Sequence, residues 1–203
     1  MPDLFIGTLS GTSVDGIDAA LVRFAPGPAL VASHSLKFPE DLRRELLALG
    51  VPGANEIDRL GRADVRLGRL FAQAVNGLLQ HAGIAPREIA AIGSHGQTIR
   101  HRPGGEAPFT LQIGDPSIIA TDTGIPVVAD FRRKDMALGG QGAPLVPAFH
   151  EAVFRQPGAD RVIVAHMALH LVREHRGVGD PCSSSPGPPP IARSLACQAG
   201  IWI

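Results

Sequence analysis

The sequence predicts a mixed α/β fold. Three observations predict it: short apolar runs that end in Gly/Ser/Thr turns, two stretches with leucines at helical spacing, and an order that mixes the two kinds up to about residue 164. Gly and Pro number 24 and 18 of 203 residues, about a fifth of the chain against roughly 12% in ordinary usage, which excludes a coiled coil or an all-helical bundle.

Residues 4–9 form a short apolar run that ends in Gly, Ser and Thr, and 17–24 read as a second strand after the turn. So short a connection predicts antiparallel neighbours. Residues 30–38 alternate roughly and read as a third strand. EDLRRELLAL (40–49) has leucines at helical spacing and stops at Gly50. A longer helix is expected from Asn55, its N-cap, to His81, with Ile57, Leu60, Val65, Leu67, Leu70, Phe71, Val75, Leu78 and Leu79 on its apolar face. Residues 89–94 read as a short buried strand, with 109–113 and 127–131 as two more. A short helix between the last two starts at Pro116 with Asp115 as its N-cap. Residues 147–154 suit another helix and 161–164 another strand.

Composition narrows the function. Lys+Arg and Asp+Glu are 19 each, so the formal net charge is zero and nothing favours binding to nucleic acid or to an acidic membrane. No apolar run approaches the length of a membrane span. The N-terminus MPDLFIGTLSG lacks the basic and apolar regions of a secretory signal. Cys182 and Cys197 are the two cysteines, which suits a reducing cytoplasm. After 164 the text changes: 165–203 hold both cysteines, Trp202, His166, His170, His175 and the run SSSPGPPP. That Pro-rich tail has too little apolar area to offset its ordering entropy and is expected to be poorly ordered. The histidines and Cys182 lack a second ligand pair, so no metal site is expected there.

Four segments carry polar chemistry. GTLSGTSVDGIDAA (7–20) puts Gly, Ser and Thr in a turn whose N–H groups and hydroxyls suit a phosphate, with Asp15 and Asp18 placed to hold Mg²⁺ through water. It is not a Walker A loop, since the lysine is absent, and an ordinary hairpin turn is the plain alternative. GSHGQTIRHRP (93–103) follows a strand, so His95, Gln97 and Thr98 fall where open α/β sheets place ligands; a satisfied loop histidine is the alternative. LQIGDPSIIA (111–120) offers Gln112 and Asp115, the latter foremost a cap. VVADFRRKDMALGGQGAPLVP (127–147) reads as a polar site on a mobile loop, with Asp130 and Arg132 to test against a plain surface ion pair.

Taken together, GTLSGTSVDGIDAALV, GSHGQTIRHRP, TLQIGDPSIIA and TGIPVVADFRRKDMALGGQGAPLVPAFH resemble the bacterial anhydro-N-acetylmuramic acid kinase family from about residue 3 to 164. The resemblance implies a ribonuclease-H-like lobe of the sugar kinase/Hsp70/actin ATPase fold, 1–164 forming the N-terminal lobe. It also implies a reaction: hydrolysis of the 1,6-anhydro ring with ATP-dependent phosphorylation of O6, in recycling of cell-wall peptidoglycan. Carried across, the ATP phosphate loop falls on Gly11, Thr12, Ser13, Val14, Asp15, Gly16, Ile17 and Asp18, with Mg²⁺ at Asp15 and Asp18. The sugar side falls on His95, Gln97, Thr98, Gln112, Asp115, Asp130 and Arg132.

Past residue 164 the family pattern continues with segments like NIGGIANLT and GFDTGPxN, whose Asp is the general base. Neither occurs here, and Asp180 in GDPC is not a match. The expectation is a truncated lobe with a foreign tail, no assigned base and little kinase activity, its exposed interlobe face favouring aggregation or a homodimer. A non-catalytic nucleotide- or sugar-binding remnant and a small protein with a Pro-rich interaction tail are the competing expectations.

Overall fold

LFIGTLS forms strand β1 (Leu4–Ser10), and its period of two puts Leu4, Ile6, Thr8 and Ser10 on one buried face. The computed structural model describes residues 3–147 and 149. One compact unit spans Met1–Ala143 and a second begins at Pro144. Of the expected helix at 147–154, Pro147 and Phe149 are helical. The strand at 161–164, the boundary at 165 and the tail with its cysteines and histidines lie outside the described residues.

Strand β2 (Gly16–Arg23) pairs antiparallel with β1, as the short turn predicts, and buries Ile17, Ala19 and Leu21 on the same side. Strand β3 (Ala29–Lys37) pairs antiparallel with β2 and forms the sheet edge. Helix α1 (Glu40–Leu49) has the expected bounds, with Leu42, Leu46 and Leu49 buried at i, i+4 and i+7. Helix α2 (Glu56–Ala82) buries Ala63, Leu67, Phe71, Ala74, Val75 and Leu78 and stops at Gly83, which takes the left-handed conformation of a C-terminal cap.

Two details of α2 differ from expectation. Asn55 stands at the N-cap position but is left-handed (φ 52°) and makes no side-chain cap bond. The Glu56 carboxylate instead accepts the Gly53 N–H at 2.9 Å, one residue into the helix. Ile57 is 86% exposed and Val65 is exposed too, so the apolar face is set by Leu67, Phe71, Val75 and Leu78 rather than by every apolar residue near the period.

The larger correction concerns strand β4. It does not stop at residue 94 but runs from Ile89 to Arg102, through the whole GSHGQTIR motif. Its first part is parallel to β1, pairing Thr8 with Ser94 and Ser10 with Gln97, so two steps along β1 meet three along β4. The extra residue is a bulge. Gly96 supplies it at φ +72°, where a Cβ would stand 2.5 Å from the Ile113 carbonyl oxygen. The bulge switches the buried phase, so Ile92 and Ser94 before it and Gln97 and Ile99 after it all face inward. Glycine here bends a strand; the sequence pattern alone makes it look like a turn.

Strand β5 (Phe109–Ile113) has the expected bounds and pairs antiparallel with the second half of β4. Helix α3 (Pro116–Thr123) is capped by Asp115, whose Oδ1 accepts from the Ser117 N–H at 2.8 Å. The strand expected at 127–131 is only β6 (Val127–Val128), parallel to the first half of β4. The text read as a polar loop instead opens with helix α4 (Phe131–Ala137), because FRRKDMA holds good helix formers and no glycine until Gly139. The sheet order is β3-β2-β1-β4-β5, with β6 on β4. This mixed sheet with its helices is the α/β arrangement expected of a ribonuclease-H-like lobe.

Leu78→Ala should lower unfolding free energy by about 2–5 kcal/mol in a urea titration, whereas Ile57→Ala should stay within about 0.5 kcal/mol of the parent. Equal losses would refute the burial assigned to α2.

Candidate functional site

The β1–β2 turn is anchored by one buried side chain. Val14 is 4% exposed, and holding a β-branched residue at φ 54° costs on the order of 1–3 kcal/mol. Its N–H donates to the Gly11 carbonyl at 3.1 Å. With Val14 turned inward, Gly11, Thr12, Ser13 and Asp15 remain exposed, while Ile17 is buried and Asp18 lies on the outward face of β2. Asp18 Oδ1 accepts from the Ser35 hydroxyl at 2.6 Å. Among the described residues no three His, Cys, Asp or Glu side chains gather as a metal cage. Asp15 and Asp18 are the carboxylates that this turn and the start of β2 expose.

The turn is tied to β4 from below. Ser10 Oγ, the last residue of β1, donates to Gln97 Oε1 at 2.5 Å, and Gln97 Nε2 donates to the Thr98 carbonyl at 3.1 Å. Gln97 is 2% exposed with both ends of its amide engaged, so it serves as an internal tie.

A cavity of about 170 Å³ opens beside it. Its wall takes Asp64 from α2, Ser94, His95 and Gly96 from β4, Gln112 from β5, Pro116 from α3, Asp130 from the β6–α4 link and Arg133 from α4. Of the sugar-side residues named from the sequence, the fold brings His95, Gln112 and Asp130 to this wall. Gln97, Thr98, Asp115 and Arg132 are not on it. Thr98 Oγ1 accepts from Gln112 Nε2 at 3.2 Å, which also donates to Thr110 Oγ1 at 2.7 Å, so Thr98 orients a wall residue. Asp115 is occupied as the cap of α3.

Asp130 and Arg132 do not form the surface pair set against their functional reading. Asp130 Oδ2 pairs with Arg133 at 3.2 Å. Arg132 is 4% exposed and runs inward, where its Nε–H donates to His95 Nε2 at 2.7 Å and Nη1 donates to the Gly142 carbonyl at 2.6 Å. The other imidazole nitrogen, Nδ1, lies 3.0 Å from the Gly96 carbonyl, which can only accept, so Nδ1 carries the proton. His95 is thereby held as one neutral tautomer. Burial, and then the Arg132 cation, push its pKa below the ordinary histidine value. Burial also lowers that of Arg132. Gly142 N–H in turn donates to Asp135 Oδ2 at 2.7 Å, closing a chain Asp135–Gly142–Arg132–His95–Gly96 behind the wall.

Sequence reasoning did not single out Ser10, Asp64, Ser94 or Arg133. Asp64 Oδ1 accepts the Gly114 N–H at 2.6 Å, pinning the QIGD turn to α2 where Gly68 lets the helix come close to Asp115. The signal for Asp64 was an acid three and four residues before Leu67 and Gly68, on the buried face of a helix. Ser10 and Ser94 lie inside the GTLSGTSVDGIDAA and GSHGQTIRHRP segments, where nothing local sets their hydroxyls apart from those of their neighbours.

A mixed sheet flanked by helices, with β1 antiparallel to β2 and parallel to β4, is the arrangement of a lobe of the sugar kinases and related ATPases. Residues 3–167 match the anhydro-N-acetylmuramic acid kinase family, three residues past the stretch of resemblance read from the sequence. A protein named anhydro-N-acetylmuramic acid kinase from Shewanella frigidimarina (strain NCIMB 400) is 60% identical over 164 residues, 80% of this chain and 44% of that protein. Another of that name, from Shewanella sp. (strain ANA-3), is 61% identical over 161 residues, 79% of this chain and 44% of its own length. The chain belongs to this family and spans less than half the length of the curated relatives it matches. Among the described residues no helix is long and apolar enough to cross a membrane.

Because His95 is harder to protonate folded than unfolded, its stabilising contribution is full above the ordinary pKa of about 6.5 and is lost as pH falls from there through the lowered folded value. His101, lowered mainly by burial, acts in the same direction. The melting midpoint should therefore drop between about pH 7.5 and 5.5, and His95→Gln should shrink the drop. An unchanged pH profile in that variant would refute the neutral strut. Asp64→Ala should cost about 1–3 kcal/mol in the same melts, since it strands the Gly114 N–H.

Proposed function

We propose that this chain supplies the ATP-phosphate turn and the sugar-side wall of an ATP-dependent kinase of 1,6-anhydro-N-acetylmuramic acid, acting in peptidoglycan recycling in the cytoplasm. In this reading water opens the 1,6-anhydro ring and the γ-phosphoryl of ATP passes to O6, giving N-acetylmuramic acid 6-phosphate and ADP. The Ser10–Gln97 hydrogen bond carries the reading, because it couples the strand that presents the phosphate turn to the strand that walls the cavity. Phosphoryl transfer depends on positioning and charge neutralisation more than on covalent chemistry, so a rigid link between the two half-sites is what the reaction asks of this lobe.

The placements support a set of roles. Of residues 11–18, the exposed Gly11, Thr12 and Ser13 would present backbone and hydroxyl groups to the phosphates, with Val14 and Ile17 buried beneath them. Asp15 and Asp18 would hold Mg²⁺ through water, and the ion would supply charge neutralisation on those phosphates. His95, Gln112 and Asp130 face the sugar, with Arg132 holding His95 and Thr98 holding Gln112, while Gln97 ties β4 to β1 and Asp115 caps α3 beside the cavity. Arg132 orients His95, which presents a neutral ring edge to the cavity.

No residue of this chain is assigned as the general base, since the family segment that bears it has no counterpart in the sequence. The 203-residue chain alone is therefore expected to bind ligands while releasing ADP far more slowly than a full-length relative. In a coupled assay with anhydrosugar and Mg-ATP, turnover near that of such a relative would overturn this binding-only behaviour. Mg-ATP should raise the melting midpoint in a concentration-dependent way, and Mg²⁺ without nucleotide should leave it unchanged. A shift with Mg²⁺ alone would point to a resident metal site, and no shift with Mg-ATP would remove the phosphate-turn assignment.

A further inference from the structure

We propose that Ser94 is a ligand-contacting residue of the cavity, its hydroxyl left open for a hydrogen bond to a hydroxyl or ether oxygen of a bound saccharide. The proposal rests on the reading of this cavity as the sugar side.

Ser94 is 2% exposed and lines the cavity, and its Oγ has no hydrogen-bond partner among the described residues. Buried hydroxyls are nearly always paired, and a strand interior favours β-branched residues over serine. An unpaired hydroxyl therefore costs desolvation with nothing returned inside the free protein. The other polar groups of the wall are engaged: both ring nitrogens of His95, the amide nitrogen of Gln112, one oxygen of Asp64 with Gly114, and Asp130 with Arg133. Ser94 Oγ alone among these retains both its donor and its acceptor capacity, which matches a sugar hydroxyl acting in both senses or an ether oxygen that accepts.

The charge of the wall selects between ligand groups. Asp64 and Asp130 stand against the single Arg133, which Asp130 already pairs, so an anionic phosphate is disfavoured beside Ser94 and an uncharged oxygen is favoured. Thr8 provides an internal comparison. It is the register partner of Ser94 across β1 and β4, equally buried and equally unpaired, but it is not on the cavity wall.

Calorimetric titration of 1,6-anhydro-N-acetylmuramic acid into the parent chain, Ser94→Ala and Thr8→Val tests the assignment, with thermal melts of each. Ser94→Ala should weaken binding about tenfold while raising the ligand-free midpoint by about 2–4 °C, and Thr8→Val should raise the midpoint with no change in affinity. Equal affinity of Ser94→Ala and parent would overturn the assignment and leave the proposed function standing. A lowered midpoint in Ser94→Ala would overturn it by exposing a structural bond at this hydroxyl. A parent that takes up no anhydrosugar, yet is still stabilised by Mg-ATP, would overturn the sugar-side reading and the role of Ser94 with it.

Discussion

The parallel pairing of β1 with β4, with one extra β4 residue between the Thr8–Ser94 and Ser10–Gln97 pairs, is the constraint on which the rest of the lobe depends. A strict ladder would turn Ser94 and Gln97 to opposite faces, since side chains alternate with a period of two. The extra residue at Gly96 lets both face inward. One of them then ties the end of β1, and the other reaches the cavity. The same change of phase buries Ile99 as well as Ile92, so the core stays continuous across the bend. Gly96 is required because its left-handed φ and its approach to the Ile113 carbonyl leave no room for a side chain.

Behind this strand the buried guanidinium of Arg132 is satisfied by neutral partners, an imidazole and a backbone carbonyl, with no carboxylate bonded to it among the described residues. A charged group under such a roof needs its hydrogen bonds placed well, and the placing is shared by Gly142 and Asp135. Helix α4 is short, but this chain of bonds joins it to β4. The wall of the cavity is thus stiff on the side of His95 and paired at its rim by Asp130 and Arg133.

Much of this was legible in the residues. EDLRRELLAL has leucines at i, i+4 and i+7 and a stop at glycine, and α1 follows it from end to end. Asp115 before Pro116 is a local capping signal and it caps. The GSHGQT motif reads as a turn because it has two glycines in six residues, and nothing nearby in sequence reveals that β1 ends opposite Gln97, just past the second of them. FRRKDMA resembles loop in the sequence because Gly139, Gly140 and Gly142 follow it closely, yet it forms α4. Asp64 was legible only as a charge on a helix, since its partner, Gly114, is 50 residues away.

By itself the sequence determined most of the elements, the family and several of the polar residues from which a site would be built, because periodicity, capping and motif text are written in neighbouring residues. Tertiary structure decided which of those polar residues form a wall and which stand behind it. It also decided that His95 is a neutral strut, that Arg132 is buried, and that Ser94 is left with an open hydroxyl. Those outcomes hang on the register between strands distant in sequence. A register shift of one residue exchanges the two faces of a strand, and no local pattern records it.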